Sequence, residues 1–361
     1  MAVTNGVYKC PECYGEMKWT PTQGKWVCQY CGSEYTLEDL KKQGMTADLE
    51  ALNNAQISHR ELEEDEKQGV KAEDGTGSKD VVGYMCSNCG AEVITRRNTA
   101  SMVCPYCAYP MIMNDQFSGE YMPKGVLPFK VTKEKATETF RKFAKKPLTP
   151  KKFLDSMEID KIQGVYAPFW LYSGKAMGNV TAECEKKGPW IGNSRTVEVY
   201  SCKRQYKLKY KNLPVDASKR IDNDAMDSIE PFDMKELKDF DIGYLAGFLA
   251  EKWDDTKEDC YERVKPRVIE TGAIIAKEDL LSVYDNAIVK GNDSRIINET
   301  TDYVLLPTYL INVKYNNKDY LFAMNGQTGK FIGNLPIDKL KAFIFGGIGT
   351  VIGALLGYFI M

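Results

Sequence analysis

The sequence contains very few of the groups on which common catalytic sites depend. The chain of 361 residues has one histidine, His59, which nearly excludes Ser-His-Asp and Cys-His catalysis and histidine-based zinc sites. His59 lies in a charged segment, ISHRELEEDE, where a solvated helical residue is expected. The P-loop pattern GxxxxGK[ST] is also missing, because GQTGK at 326–330 is too short and precedes Phe331. We therefore expect neither an ATP-driven motor nor an enzyme.

The chain also lacks an excess of positive charge. It has 48 basic and 50 acidic residues, for a net charge of −2, whereas proteins that wrap nucleic acid normally show a basic excess or a basic face. The first residues, MAVTNGVYKC, lack the basic and apolar regions of a signal peptide. The apolar share of 43% is typical of globular proteins, and the length allows two or three domains.

What the sequence does contain is a repeated cysteine pattern. The unit CxxC-x14-CxxC occurs twice, 76 residues apart, and uses eight of the eleven cysteines. Two thiolates on each of two opposing turns complete a tetrahedral zinc site with no open position for water or substrate. Disulfides are the alternative, but no secretion signal is present. We therefore predict two zinc ribbons, each with one structural Zn²⁺, formed by Cys10, Cys13, Cys28 and Cys31 and by Cys86, Cys89, Cys104 and Cys107.

The charge of the ribbons favours contact with protein. Between Tyr8 and Tyr35 the chain has three lysines and three glutamates. The aromatic residues of this ribbon could stack on bases, but no basic residues alternate with them as in a nucleic-acid site. The remaining cysteines, Cys184, Cys202 and Cys260, are expected to be buried apolar residues, and a functional role is the alternative.

The chain divides into five segments. We predict ribbon 1 over 1–35, a charged helix and flexible linker over 36–80, ribbon 2 over 81–115, an α+β body with antiparallel sheets over 116–338, and a C-terminal segment over 339–361. Within the body, GVYAPFWLYSGKAMG and VLLPTYLINVKYNNKDY resemble each other weakly, which suggests two related halves. Pro168 and Pro307 in these stretches predict edge strands or strand starts.

The C-terminal segment has the composition of a membrane anchor. Ala342–Met361 is a run of twenty uncharged residues, and a helix of that length is about 30 Å long, enough to cross a bilayer core. Lysines precede it, so we predict a single-pass anchor in the cell membrane with the body in the cytoplasm. Gly349, Gly353 and Gly357 form a face that would allow helix–helix association and hence a homo-oligomer. The alternative is that glycine is simply common in membrane helices.

Several stretches resemble bacterial membrane-anchored proteins that contain TFIIB-type zinc ribbons, some of which carry primosomal or helicase-like names. They are the CPxC ribbons, VLPFKVTKEKA, GVYAPFWLY, YLAGFLAEKWD and LLPTYLINVKYNNKDYLFAMNGQTGKFIGNLPID. The resemblance implies a cytoplasm-facing component bound to the membrane bilayer. It further implies recruitment of a protein partner in envelope stress, the partner being SPFH-like, virion-core-like or PspA-like.

Together these features favour a non-enzymatic, membrane-tethered adaptor that recruits or scaffolds a protein partner. In this hypothesis the ribbons are protein-binding surfaces on a flexible segment, and the body docks the partner. A zinc-ribbon nucleic-acid-binding factor of the transcription or replication type is the alternative.

Overall fold

The computed structural model describes residues 8–15, 17–45, 81–86, 92–96, 98–104, 110–112, 121–155, 162–219, 221, 223–245, 248–316 and 318–343. The elements in chain order are β1 Met17–Thr20, β2 Lys25–Cys28, β3 Glu34–Tyr35, α1 Leu37–Lys42, β4 Val81–Met85, β5 Glu92–Arg96, β6 Thr99–Val103, β7 Pro110–Ile112, β8 Gly125–Val126, α2 Lys133–Ala144, α3 Lys151–Asp155, β9 Gln163–Ile191, β10 Ser194–Asp216, α4 Asn223–Ser228, β11 Lys238–Asp239, β12 Leu249–Glu251, α5 Lys257–Leu281, β13 Asn286–Tyr315, β14 Lys318–Asn325 and β15 Phe331–Gly333.

The N-terminal part is a small unit of its own. Strands β1, β2 and β3 form an antiparallel sheet in that order, and α1 follows directly. Thr36 begins α1 with a capping box, in which its hydroxyl accepts from the Asp39 amide and the Asp39 carboxylate accepts from the Thr36 amide. We call residues 8–45 the cysteine module.

The body is organised around one large mixed sheet, so the prediction of antiparallel sheets is wrong. Ten of the described strands belong to it, in the order β11-β8-β13-β9-β12-β6-β7, with β10 beside β9, β14 beside β13, and β15 beside β14. β8 runs parallel to β13, and β12 runs parallel to β9. The two similar stretches noted in the sequence pair with each other, since Ala167 lies opposite Leu306 in the centre of the sheet.

Pro168 and Pro307 lie in the two central strands, not in edge strands as predicted. The outer neighbour of β9 changes at this point from β12, which pairs at Tyr166, to β10, which pairs from Phe169. On β13 the neighbour likewise changes from β8 at Leu305 to β14 at Thr308. Each proline therefore occupies a gap between two neighbouring strands, where its missing N–H costs no ladder hydrogen bond.

Beyond the body, β9, β10 and β13 continue as a three-stranded extension. We call residues 173–211 and 286–300 the arm; at about 3.3 Å per residue its β9 portion is roughly 60 Å long. Helix α5 covers one face of it, with Val264, Val268 and Ala276 buried. A Cβ atom on Gly272 would lie 2.1 Å from the Tyr206 ring, so only glycine allows this close approach. Pro266 lies inside α5 and does not end it.

The second cysteine segment does not form a separate ribbon. β4 and β5 make a two-stranded hairpin, while β6 and β7 are part of the large sheet through the pairing of β6 with β12. Ser101 donates its hydroxyl to the Phe248 carbonyl of the body. Cys86 and Cys104 are buried, and Cys89 and Cys107 lie outside the described residues. The prediction of two independent ribbons is thus wrong for this half.

The predicted membrane anchor also requires correction. No helix within the described ranges combines the length and the apolar character needed to cross a bilayer; α5 has 25 residues but carries charged side chains along its length. Residues 339–343 are helical, and Lys341 bonds to the Thr149 carbonyl of the body. The single-pass anchor and the membrane localisation derived from it are therefore not supported. Residues 344–361, with Gly349, Gly353 and Gly357, lie outside the described part.

Candidate metal centre

The first four cysteines lie on two turns with the same hydrogen bonding. In the first turn the Tyr14 amide donates to the Cys10 carbonyl at 2.9 Å, and the Cys10 amide donates to the Gly15 carbonyl at 2.8 Å. In the second, the Gly32 amide donates to the Cys28 carbonyl at 3.1 Å, and the Cys28 amide donates to the Ser33 carbonyl at 2.9 Å. The antiparallel pairing of β1 with β2 brings the turns together.

Each turn needs a left-handed backbone. Gly32 has φ +76°, a conformation natural to glycine, and Tyr14 has φ 56°. Gly15 is needed for a steric reason, because a Cβ atom there would lie 2.5 Å from the Tyr30 ring and 3.1 Å from the Cys28 sulfur. The small residue therefore allows the two turns to close around the thiols.

The four sulfur atoms form a cluster of the size that a metal requires. Cys10 Sγ lies 3.6 Å from Cys31 Sγ, and Cys13 Sγ lies 3.4 Å from Cys28 Sγ. All four ligand atoms lie within 4.8 Å of one another. A tetrahedral ion with metal–sulfur bonds of about 2.3 Å separates its sulfurs by about 3.8 Å. The predicted grouping of Cys10, Cys13, Cys28 and Cys31 is confirmed as a set that could hold one metal ion.

The cluster has a buried side and an exposed side. Cys10 and Cys28 are buried, whereas Cys13 and Cys31 are exposed. Burial raises the pKa of the Cys10 thiol. At the exposed side, Cys31 Sγ lies 3.2 Å from the Ser33 hydroxyl, and its contacts with Ser33 lower the pKa of the Cys31 thiol. Since metals bind thiolates, this shift favours the ligating form of Cys31.

A carboxylate beside the cluster connects its two turns. Glu12 accepts hydrogen bonds from the Ser33 hydroxyl at 2.8 Å and from the Tyr35 hydroxyl at 2.9 Å. These bonds lower the pKa of Glu12 and raise that of Tyr35 to about 12. Glu12 therefore stays ionised, and it holds the first turn against the second near the metal ligands.

The cysteine module packs directly against the body. Tyr244 of the body lies against Trp19 and Trp26, with ring centroids 5.0 and 4.8 Å apart. The Trp19 indole donates to the Phe129 carbonyl at 3.2 Å. The Tyr8 hydroxyl donates to Asp241 at 2.8 Å. We call this the docking interface; through it the module belongs to the body's core and does not stand apart on a flexible segment.

Two tyrosines of the module face solvent. Tyr14 is 71% exposed and Tyr30 is 79% exposed, and each lies on one of the two cysteine turns. These two tyrosines and the turns that carry them form what we call the knuckle face. Trp19 and Trp26 thus pack in the core, while Tyr14 and Tyr30 are exposed outside it.

The other cysteines have different surroundings. Cys86 and Cys104 pack with Tyr84, Val93 and Met111, but a second metal site is not shown, because its other two predicted ligands lie outside the described residues. Cys184 is buried with Ala182 and Ala287 of the arm and Leu280 of α5, and Cys202 lies beside them. The Cys260 thiol donates to the Asp216 carbonyl at 3.4 Å.

The docking interface was missed in the sequence. Two of its body residues, Asp241 and Tyr244, lie more than two hundred positions from the aromatic residues that they contact. No local pattern connects them with the cysteines. A signal in the sequence was the concentration of aromatic residues between the two CxxC pairs. So many large aromatic side chains in so small a unit indicate that some of them pack against another part of the chain.

Comparison with known proteins finds a relative that aligns with nearly the whole chain. The chain matches no protein-family model, and no solved structure matches it. It is 33% identical over 350 residues to a protein of Bacillus subtilis (strain 168) named "Uncharacterized protein YdjG". The alignment covers 94% of this chain and 93% of that protein. Because the similarity extends over nearly the whole of both chains, this protein belongs to the YdjG family.

Proposed function

We propose that the protein is a non-enzymatic adaptor whose cysteine module contacts a protein partner through the knuckle face. The observation that carries the proposal is the two-sided construction of the module. Trp19 and Trp26 pack in the docking interface, while Tyr14 and Tyr30 of the knuckle face are exposed to solvent. Large exposed aromatic side chains on a rigid support are typical anchors of protein interfaces.

The metal in this proposal is zinc, with a structural role. Four thiolates satisfy a tetrahedral Zn²⁺ completely and leave no position for a reactive water. Binding would contribute roughly 10–16 kcal/mol to folding of so small a unit. The repeated spacing supports a second zinc held by Cys86, Cys89, Cys104 and Cys107. Kinship with TFIIB-type zinc-ribbon proteins is part of the same proposal, and the four-cysteine cluster supports it.

The experiment replaces Tyr30 with a photo-crosslinking benzoylphenylalanine in the full-length protein, in the cells that make it naturally. The matched control carries the crosslinker at Ile274, an exposed residue of α5. The proposal predicts one protein crosslinked from position 30 and not from position 274, and loss of that product when Tyr14 is changed to Ala. SPFH-like, virion-core-like and PspA-like proteins are the first partners to test for.

The alternative function, nucleic-acid binding, makes a different prediction for the same experiment. Tyr14 and Tyr30 could also stack on bases. A nucleic-acid adduct at position 30, together with binding that weakens steeply as salt is raised, would replace the adaptor proposal. The near-neutral charge of the module is the reason for preferring protein.

A further inference from the structure

The arm has an open edge. Among the described residues, β10 pairs with β9 alone, while β9 is flanked on its other side by β13. From Val197 to Tyr210 the outer side of β10 therefore has no neighbouring strand. An edge strand directs every second backbone N–H and C=O outward, where an extended peptide can pair with them.

One face of this edge is basic. Lys203, Lys207 and Lys209 are exposed and share the face away from α5, because the alternate residue Tyr206 is buried beneath that helix. Lys209 lies opposite Lys175 of β9. No carboxylate in the described part of the chain forms an ion pair with any of these four lysines. The sequence has no acidic residue between Glu198 and Asp216.

The other face of the same edge is largely apolar from Tyr206 to Tyr210, and Arg204 on that face pairs with Asp279 of α5. Tyr206, Leu208 and Tyr210 alternate with the lysines and lie on the α5 side, with Leu208 and Tyr210 only partly covered. A strand added beside β10 would have successive side chains on opposite faces. Its residues would therefore meet lysines on one face and tyrosine or leucine on the other.

We propose that the outer edge of β10 binds an extended peptide segment whose side chains alternate between carboxylates and apolar groups. Backbone pairing supplies the binding mode, and the two faces supply the selectivity. This edge is separate from the knuckle face, so the proposal goes beyond the adaptor function, and either one can fail without the other.

The same lysines exclude a second copy of this chain as the occupant. Two β10 strands paired edge to edge would bring lysine rows together on one face, and like charges placed opposite each other across strands are destabilising. Lysine on an edge is a common protection against self-association. Here the protection is selective, since a strand that carries carboxylates at alternate positions gains from the charges that repel another copy.

The test measures fluorescence anisotropy of a labelled ten-residue peptide of alternating glutamate and valine, titrated with the full-length protein. The triple variant Lys203→Glu, Lys207→Glu, Lys209→Glu should lower the affinity at least about tenfold, because three cross-strand charge pairs turn repulsive. The matched control reverses the same number of exposed charges on the body, at Lys145, Lys151 and Lys318, which lie outside the arm and α5. It should keep the affinity within about twofold, since those charges are distant and screened.

Backbone pairing is tested separately with two peptides N-methylated at alternate positions. One set of amides faces β10 and the other faces solvent, so one methylated peptide should lose binding and the other should retain it. Equal binding of both, or of a proline-interrupted peptide of the same charge, would overturn the proposal in favour of simple charge attraction. Binding of a twenty-nucleotide oligonucleotide through the same lysines, with none of the peptide, would also overturn it. The knuckle variant Tyr14→Ala, Tyr30→Ala should leave peptide affinity unchanged.

Discussion

Replacement of Tyr244 by Ala tests whether the cysteine module is an integral part of the body. Tyr244 is buried and is the body residue whose ring contacts both Trp19 and Trp26. Loss of a fully buried large aromatic side chain costs about 3–5 kcal/mol, and each ring pair adds about 0.5–1.5 kcal/mol to what area alone provides. We therefore expect the free energy of unfolding to fall by about 3–5 kcal/mol.

The assay is urea unfolding followed by tryptophan fluorescence and, in parallel, by far-ultraviolet circular dichroism. The fluorescence reports on the docking interface through Trp19 and Trp26 once Trp170, Trp190 and Trp253 are replaced by Phe in both the parent and the variants, and the dichroism reports mainly on the large sheet. Tyr30→Ala is the control, because it removes a tyrosine from the same module at an exposed position and should change stability by less than about 0.5 kcal/mol. If Tyr244→Ala is no more destabilising than this control, the docking interface does not contribute as the structure implies.

Two further predictions concern the body and the arm. Arg263→Leu removes the partner of the buried carboxylate of Asp216, 2.8 Å away, and should cost about 3–5 kcal/mol at pH 8. Burial already raises the pKa of the Asp216 carboxyl group. The stability that this group contributes is therefore present at low pH, where the carboxyl is neutral, and is lost as the pH rises through the raised pKa. The cost should hence be smaller at pH 5, and a cost independent of pH would refute the reasoning. Gly272→Ala places a methyl group against the Tyr206 ring and should cost about 1–3 kcal/mol in thermal unfolding; an effect no larger than that of the exposed Ile274→Ala would contradict the close packing of α5.

The first metal site could be predicted because its determinants are local. All four ligands fall within one short segment, and the CxxC spacing itself brings two thiols together on a tight turn. The surroundings of the site could not be predicted in the same way. Tyr8 and Asp241 are 233 positions apart, and nothing in either local sequence specifies the other. The exposed knuckle face can be recognised only from the structure, because the docking interface determines which aromatic residues of the module are buried.

The sheet shows a similar limit. The alternation in TVEVYSCKRQYKLKY is typical of a half-buried strand. The stretch lies within β10, and one of its faces is covered only from Cys202 onward. Pro168 and Pro307 show that a backbone N–H donor is missing at these positions. The sequence does not show that each proline lies in a central strand, at the point where one neighbouring strand ends and another begins. The parallel pairs β8–β13 and β12–β9 join short strands to distant partners. Such contacts depend on the whole chain and leave no periodic pattern.

The most direct test of the central claim is the metal content of purified full-length protein, measured by elemental analysis together with the sulfur coordination of the metal by X-ray absorption. Wild-type protein and the variant Cys13→Ser, Cys31→Ser should be compared; both changes fall on the exposed side of the cluster. The account predicts zinc bound by four sulfurs in the wild type and the loss of one equivalent per chain in the variant. An unchanged zinc content in the variant would contradict the assignment of the metal centre.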